Sequence, residues 1–326
     1  MLYNKDRDLE GSRVGCKKII TLNLISNKID KNSKNDKNTP IKWSLQGINI
    51  MRNQYDNSVT VADEERILED FNQRSQETYR SIPHLSNCSY LNDPLHNLDE
   101  KEVKKDELFQ DSPLQTAVDE RTTYDLFLTP KQALGTIVFI HGGYWQWCHK
   151  SDFAFIAPPI LQAGYNLLLL EYPLTPTATL SEINRAIKIA LDYFLTLEKR
   201  LDLTKPTILA GHSAGAHLAS LQANHPLVDE LWLLSGIYQL QPIAQSHLNQ
   251  ALQLTPHEIE ALSPQLQAAP LRKKIKVIVG QEELPELIYQ SLSYYQKLFA
   301  EGAQAELLIL PSNHYTILET FFSQLR

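Results

Sequence analysis

A serine in a tight turn, a late histidine and a pair of glycines give this chain the residue types that acyl transfer needs. The serine is Ser213, in Thr207-Ile-Leu-Ala-Gly-His-Ser-Ala-Gly-Ala-His-Leu-Ala219. This stretch reads as a short buried strand, a Gly-x-Ser-x-Gly turn and the start of a helix. A turn that sharp leaves space only for small residues two places either side of the serine, where Gly211 and Gly215 stand. It lifts the hydroxyl off the sheet, and the helix start aims free backbone N–H groups at whatever the serine attacks. A plain packing turn is the bland alternative. The apolar strand before it and the Ala-rich helix after it favour the nucleophile.

A serine hydroxyl attacks only when a base takes its proton and a carboxylate orients that base. In a strand–turn–helix site of this kind the chain order is Ser, acid, His. Beyond the elbow helix, the histidines are His225, His247, His257 and His314. His314 alone directly follows a predicted terminal strand, in Pro311-Ser-Asn-His-Tyr-Thr-Ile317, so it is expected as the base. The acid is expected after the penultimate strand, where Glu282, Glu283 and Glu286 lie. Glu286 follows Pro285 and suits the first turn of a helix, where a carboxylate favours the dipole without any catalytic role. Spacing does not separate Glu282 from Glu283.

His141-Gly-Gly-Tyr-Trp145 follows an early strand. Acyl transfer builds negative charge on the carbonyl oxygen, and a Gly-Gly loop can turn its N–H groups inward. Gly142 and Gly143, with the Ala214 N–H, are the expected oxyanion hole. His141 is expected to hold this loop by a hydrogen bond. Tyr144 and Trp145 are either packing or the wall of a substrate pocket. His212 reads as structural. His212 and His217 are five apart, the wrong spacing for two metal ligands on one helical face. No Walker loop or dinucleotide fingerprint is present, and no cofactor or metal is expected.

The elements that must position these groups follow from the pattern around them. The chain has 326 residues, 43% hydrophobic and 21% charged, enough for one large α/β domain with an extension. A net charge of -7 argues against a broad nucleic-acid surface and for an ordinary soluble protein, and the acyl-transfer residues make a small molecule the expected partner. Cys16, Cys88 and Cys148 are scattered and odd in number, which suggests a reducing compartment. With no signal-peptide pattern and no apolar run of membrane-spanning length, a cytoplasmic location is expected. A homodimer is compatible with this composition.

Residues 1–50 read as a poorly ordered polar extension. A helix is expected within 51–85, ended by Pro83. Residues 86–120 read as an insertion or surface segment. Thr122–Leu128 reads as an early strand. Regular alternation follows, with strands at 135–140, 165–170, 207–210, 231–234, 275–279 and 306–310. Helices are expected at 152–163, kinked or split by Pro158-Pro159, and at 179–200, 285–301 and 315–325. Continuous apolar strands alternating with helices predict a mainly parallel, doubly wound α/β sheet over residues 51–326.

With these motifs the chain resembles the kynurenine formamidase (arylformamidase) family of the α/β-hydrolase superfamily. His141-Gly-Gly-Tyr-Trp-Gln146 is similar to its oxyanion motif, and Gly211-His-Ser-Ala-Gly-Ala-His-Leu218 to its elbow. Ser235-Gly-Ile-Tyr238, Pro285-Glu-Leu-Ile-Tyr-Gln-Ser291 and Asn313-His-Tyr-Thr-Ile317 resemble three further family segments. In the Pro-Glu segment the family's acid lies two residues before the Pro, which implies Glu283. The resemblance implies the α/β-hydrolase fold, a catalytic set of Ser213, Glu283 and His314, and Tyr144, Trp145 and Tyr238 facing substrate. It also implies hydrolysis of N-formyl-L-kynurenine in tryptophan breakdown. Two departures stand out: Glu replaces the family's Asp as the acid, and Gln239 stands where the family commonly has Asp. The rival readings are a short-acyl carboxylesterase and a non-catalytic hydrolase-like binding protein.

Overall fold

The computed structural model describes residues 55–91, 121–201 and 205–325. The expected extension at 1–50 and most of the 86–120 segment lie outside these residues. The described residues belong to one unit, Leu45–Arg326.

Eight strands form a single sheet: β1 (His84–Ser89), β2 (Thr123–Phe127), β3 (Gly135–Ile140), β4 (Tyr165–Leu170), β5 (Thr207–His212), β6 (Glu230–Leu234), β7 (Lys274–Gly280) and β8 (Gln304–Leu310). Their order is β1-β2-β4-β3-β5-β6-β7-β8. The β1–β2 and β2–β4 pairs are antiparallel and the remaining pairs are parallel. Around the sheet lie α1 (Glu64–Ser81), α2 (Ala157–Gln162), α3 (Leu180–Leu201) and α4 (Ala214–Leu221). The short helices α5 (Gln241–Ala244), α6 (Asn249–Leu252) and α7 (Pro256–Ala261) follow β6, and α8 (Pro285–Ala300) and α9 (Ile317–Phe322) complete the set. Among the described residues no helix is long and apolar enough to cross a membrane.

The continuous apolar strands serve two cores, because successive side chains point to opposite faces. Val138, Ile140, Leu168 and Leu170 pack with residues of α3, α4 and α8. Ile137, Phe139, Leu167 and Leu169 pack with Phe71 of α1 and with residues of α2 and α9. Both faces are covered, so the strands lack the polar alternation of a half-exposed sheet.

Local signals set several boundaries. At the start of α3 the Glu182 carboxylate accepts from the Thr179 N–H at 2.9 Å, and the Glu182 N–H donates to Thr179 Oγ1 at 3.2 Å. That reciprocal pair satisfies donors a helix start leaves open. The helix expected at 152–163, kinked or split by its prolines, is divided into a 3₁₀ stretch, Lys150–Ile156, and α2. Pro158 and Pro159 fall in the first turn of α2, where a missing N–H costs no helical bond. The strand β1 is a difference from expectation, since it spans the end of the expected helical stretch at 51–85 and the start of the 86–120 segment. It is a polar, bulged edge strand with Asn87 at φ 54°, so it carries no apolar alternation to signal it.

Candidate active site

The ends of β3, β5, β7 and β8 carry the expected site residues to the carboxyl edge of the parallel sheet. Ser213 directly follows β5 and precedes α4, with φ 55° and ψ −118°. That backbone is unfavourable for a residue with a Cβ, and it persists because the turn is held from all sides. A Cβ on Gly211 would lie 2.2 Å from the Gly215 carbonyl oxygen, and one on Gly215 would lie 2.0 Å from the Ile140 oxygen. Both glycines of the motif are therefore required by close backbone approach. The Ser213 N–H donates to Leu234 O at 2.8 Å, which carries the β5–β6 ladder into the turn.

The loop after β3 lies directly against this turn, since a Cβ on Gly142 would come within 3.1 Å of the Ser213 Cβ. Its carbonyls are pinned. Tyr172 OH donates to His141 O at 2.9 Å, and the His141 Nδ1–H donates to Gly142 O at 2.8 Å. In a trans peptide the carbonyl and the following N–H point opposite ways. Pinning these two oxygens thus turns the Gly142 and Gly143 N–H groups to the other side of the loop. Gly143 itself has φ 104°.

Behind the loop, His141 is stacked between Tyr172 and Phe153, with ring centroids 4.3 and 5.7 Å away. Its Nε2 lies 3.1 Å from Glu171 Oε1. Glu171 has no exposed surface and also meets Arg121 at 2.9 Å, His149 at 3.1 Å and the Lys150 N–H at 2.8 Å. Burial pushes the Glu171 carboxyl upward, but His141, and then His149 and Arg121, outweigh it and hold the group at about 2. This cluster was not singled out from the sequence; these partners of Glu171 lie 21 to 50 positions from it.

After β7, the Glu283 carboxylate reaches His314, with Oε2 2.8 Å from Nδ1. Both residues are buried, at 3% exposure each. Glu282 is solvent-exposed and engages the same loop only through its N–H, to Ser312 O at 3.1 Å. Of the two carboxylates that spacing leaves open, the structure brings Glu283 to the histidine. Nδ1 is committed to Glu283, so Nε2 is the ring nitrogen left for proton transfer. His212 acts structurally: its Nε2–H donates to the His314 carbonyl at 2.8 Å.

Three aromatic residues were expected to face substrate. Trp145 and Tyr238 have no exposed surface. Trp145 meets His217 edge-on at 5.0 Å, and Tyr238 stacks on Tyr294 at 4.2 Å. Tyr144, at 6% exposure, is the one of the three that keeps accessible surface. Tyr55, just ahead of α1, packs edge-on against Tyr144 at 6.4 Å and accepts from Gln290 Nε2 at 2.9 Å. Gln290 Oε1 in turn accepts from the N–H groups of Tyr238 and Gln239, at 2.7 and 2.9 Å. Cys148 lies beside the loop, but burial pushes its thiol up to about 12, which makes it a poor nucleophile.

The strand order and the helices on both faces are those of the α/β-hydrolase fold. A family model described as BD-FAE matches residues 124–278. Among curated proteins, the chain is similar to the kynurenine formamidase of Danio rerio, 29% identical over 201 residues, covering 56% of this chain and 66% of that protein. The kynurenine formamidase of Drosophila melanogaster is 27% identical over 219 residues, covering 61% and 73%. The chain thus spans just under two thirds of the length of the fish relative. Among solved structures, one described as a proposed thioesterase from a Silicibacter species superposes with a TM-score of 0.68 at 21% identity, over 84% of this chain and 95% of that one. A carboxyl esterase from Tuber melanosporum superposes with a TM-score of 0.54 at 17% identity, over 62% and 76%. The resemblance to kynurenine formamidases that the motifs carry is therefore present in comparison of the longer sequence as well.

Proposed function

We propose that this protein is a serine hydrolase that cleaves N-formyl-L-kynurenine to L-kynurenine and formate, with Ser213 as nucleophile, His314 as base and Glu283 as its orienting acid. The observation that carries the reading is the 2.8 Å contact of Glu283 Oε2 with His314 Nδ1, at the sheet edge where the Ser213 turn also lies. The choice of substrate is supported by the sequence similarity to proteins named kynurenine formamidase.

In this mechanism His314 Nε2 takes the Ser213 proton as Oγ attacks the formyl carbon. The N–H groups of Gly142, Gly143 and Ala214 hold the oxygen that becomes negative. His314 then gives its proton to the aryl nitrogen as the C–N bond breaks, leaving a formyl ester on Ser213. Water, deprotonated by the same nitrogen, attacks that ester. Collapse releases formate and returns the proton to Ser213. Glu283 stabilises the imidazolium at both stages. The formyl group is small and needs little room beside the oxyanion loop. Tyr144 offers the aryl side an aromatic surface, with Tyr55 and Trp147 edge-on against it.

The test is turnover of N-formylkynurenine and of p-nitrophenyl acetate by the purified protein. Release of kynurenine supports the proposal. Turnover of the ester alone assigns a short-acyl carboxylesterase instead, and turnover of neither assigns a binding protein.

A further inference from the structure

Glu283 has two carboxylate oxygens, and His314 engages one of them. The other, Oε1, accepts a hydrogen bond from Ser235 Oγ. Ser235 has no exposed surface, and neither has the Glu283 side chain. Ser235 stands after β6 as Ser213 stands after β5. Each is the first residue beyond its strand, and each has a left-handed backbone, φ 51° for Ser235 and 55° for Ser213. Each N–H extends the ladder to the next strand, Ser213 to Leu234 O and Ser235 to Ile278 O, both at 2.8 Å. Such a backbone is unfavourable for a residue with a Cβ, and it is retained where the surroundings over-determine it.

We propose that Ser235 is a positioning residue of the hydrolytic site, whose hydroxyl fixes the far oxygen of Glu283 so that the near oxygen meets His314 in one geometry. The inference rests on the reading of Ser213, Glu283 and His314 as the reacting set. Its physical basis is the length of the acid. A Glu has one more rotatable bond than an Asp, so a single bond to His314 leaves its carboxylate free to swing. A second donor on the opposite oxygen removes that freedom. The chain also makes room for the longer side chain, since a Cβ on Gly280 would lie 3.1 Å from Glu283 Cγ. The Ser235 hydroxyl bonds Glu283, not a reacting atom. Its effect runs through Glu283.

The experiment is a double-substitution cycle on the full-length protein, with p-nitrophenyl acetate as the probe and the downfield proton resonance of the His314 Nδ1–H as a second readout. Ser235→Ala is expected to lower kcat about tenfold with KM unchanged, the size of effect common for an outer partner of a working residue. The same change is expected to shift or broaden the Nδ1–H resonance. In a Glu283→Asp background, where the shorter acid cannot span both partners, Ser235→Ala is expected to change kcat by less than about twofold, because coupled positions are not additive. Ser235→Gly accepts the left-handed backbone and lacks the hydroxyl, so it should match Ser235→Ala and carries the test if the alanine variant does not fold. Wild-type kcat with an unmoved resonance in either variant would overturn the proposal. So would an equal loss in both backgrounds. If the wild-type protein turns over no substrate, the hydrolase reading fails, while the response of the Nδ1–H resonance to Ser235→Gly still decides whether Ser235 positions Glu283.

Discussion

His212 donates its Nε2–H to the backbone carbonyl of His314 at 2.8 Å, which ties the residue before the expected nucleophile to the expected base itself. Burial, and then the nearby His314, hold the His212 imidazole well below its ordinary range. The ring therefore stays neutral, with one N–H, and that N–H is the donor in this bond. The bond fixes the spacing between two strand ends that are not adjacent in the sheet.

Removing this tie should loosen the site more than the fold. His212→Ala leaves the buried His314 carbonyl without its donor, a loss of about 1–3 kcal/mol in unfolding free energy. Steady-state kinetics should show a lower kcat with little change in KM, and urea unfolding should report the stability loss. Unchanged kcat would mean that the His212–His314 bond does not hold the base in place.

The cluster behind the oxyanion loop makes a second prediction. Glu171 is held at about 2 by His141, His149 and Arg121 against the upward push of burial. Glu171→Gln removes the carboxylate that meets Arg121, His141 and His149. Breaking a buried ion pair from one side costs about 3–5 kcal/mol. His141 would also lose the partner that sets its ring over the Gly142 carbonyl, so kcat should fall along with stability. Chemical denaturation and initial rates check both. A stable variant with full activity would contradict a supporting role for this cluster.

Acid should weaken the fold in two windows. Burial lowers His217 from its ordinary value of 6.5 to about 4, against the opposing bond from its ring to Leu262 O at 2.7 Å. Between those values the unfolded chain binds the proton and the folded chain does not, so stability rises with pH across the window. The loss as pH falls from 6.5 to 4 is on the order of 3 kcal/mol from this residue. Glu171 acts in the next window. Its folded value is depressed from 4.5 to about 2, so its contribution is present above 4.5 and lost as pH falls toward 2. Urea unfolding from pH 8 to 4 should show the first decline, to which buried His212 also contributes, and His217→Gln should make it shallower. A pH-independent unfolding free energy in wild type would refute the buried neutral imidazole.

What the sequence disclosed depended on how local each signal was. β3, β4 and β5 were legible because both faces of each are buried, which yields apolar runs such as Leu167-Leu-Leu-Leu170. The Ser213 turn was legible because its Gly-x-Ser-x-Gly pattern is contiguous in sequence, although Gly215 is required by the distant Ile140 carbonyl. His314 was found by its place after the last strand, and Glu283 only through family resemblance, since Glu282 has the same local setting. The bond from Ser235 to Glu283 and the pairing of His141 with Glu171 join residues 48 and 30 positions apart, and nothing near either partner announces them. Left-handed backbone at Ser235 is equally silent, because a serine there looks like any serine after a strand. β1 escaped notice because a polar edge strand lacks apolar alternation. The aromatic expectation for Trp145 came from its position beside the loop, whereas the ring is enclosed against His217.

The central claim is that Ser213 carries the acyl group during hydrolysis. The most direct measurement is kynurenine release from N-formylkynurenine by the wild-type protein and by Ser213→Ala, each first verified as folded by circular dichroism. The account predicts turnover by wild type and a loss of about a millionfold in kcat for the variant, as for other serine hydrolases stripped of their nucleophile. A folded Ser213→Ala protein that releases kynurenine at the wild-type rate would contradict it.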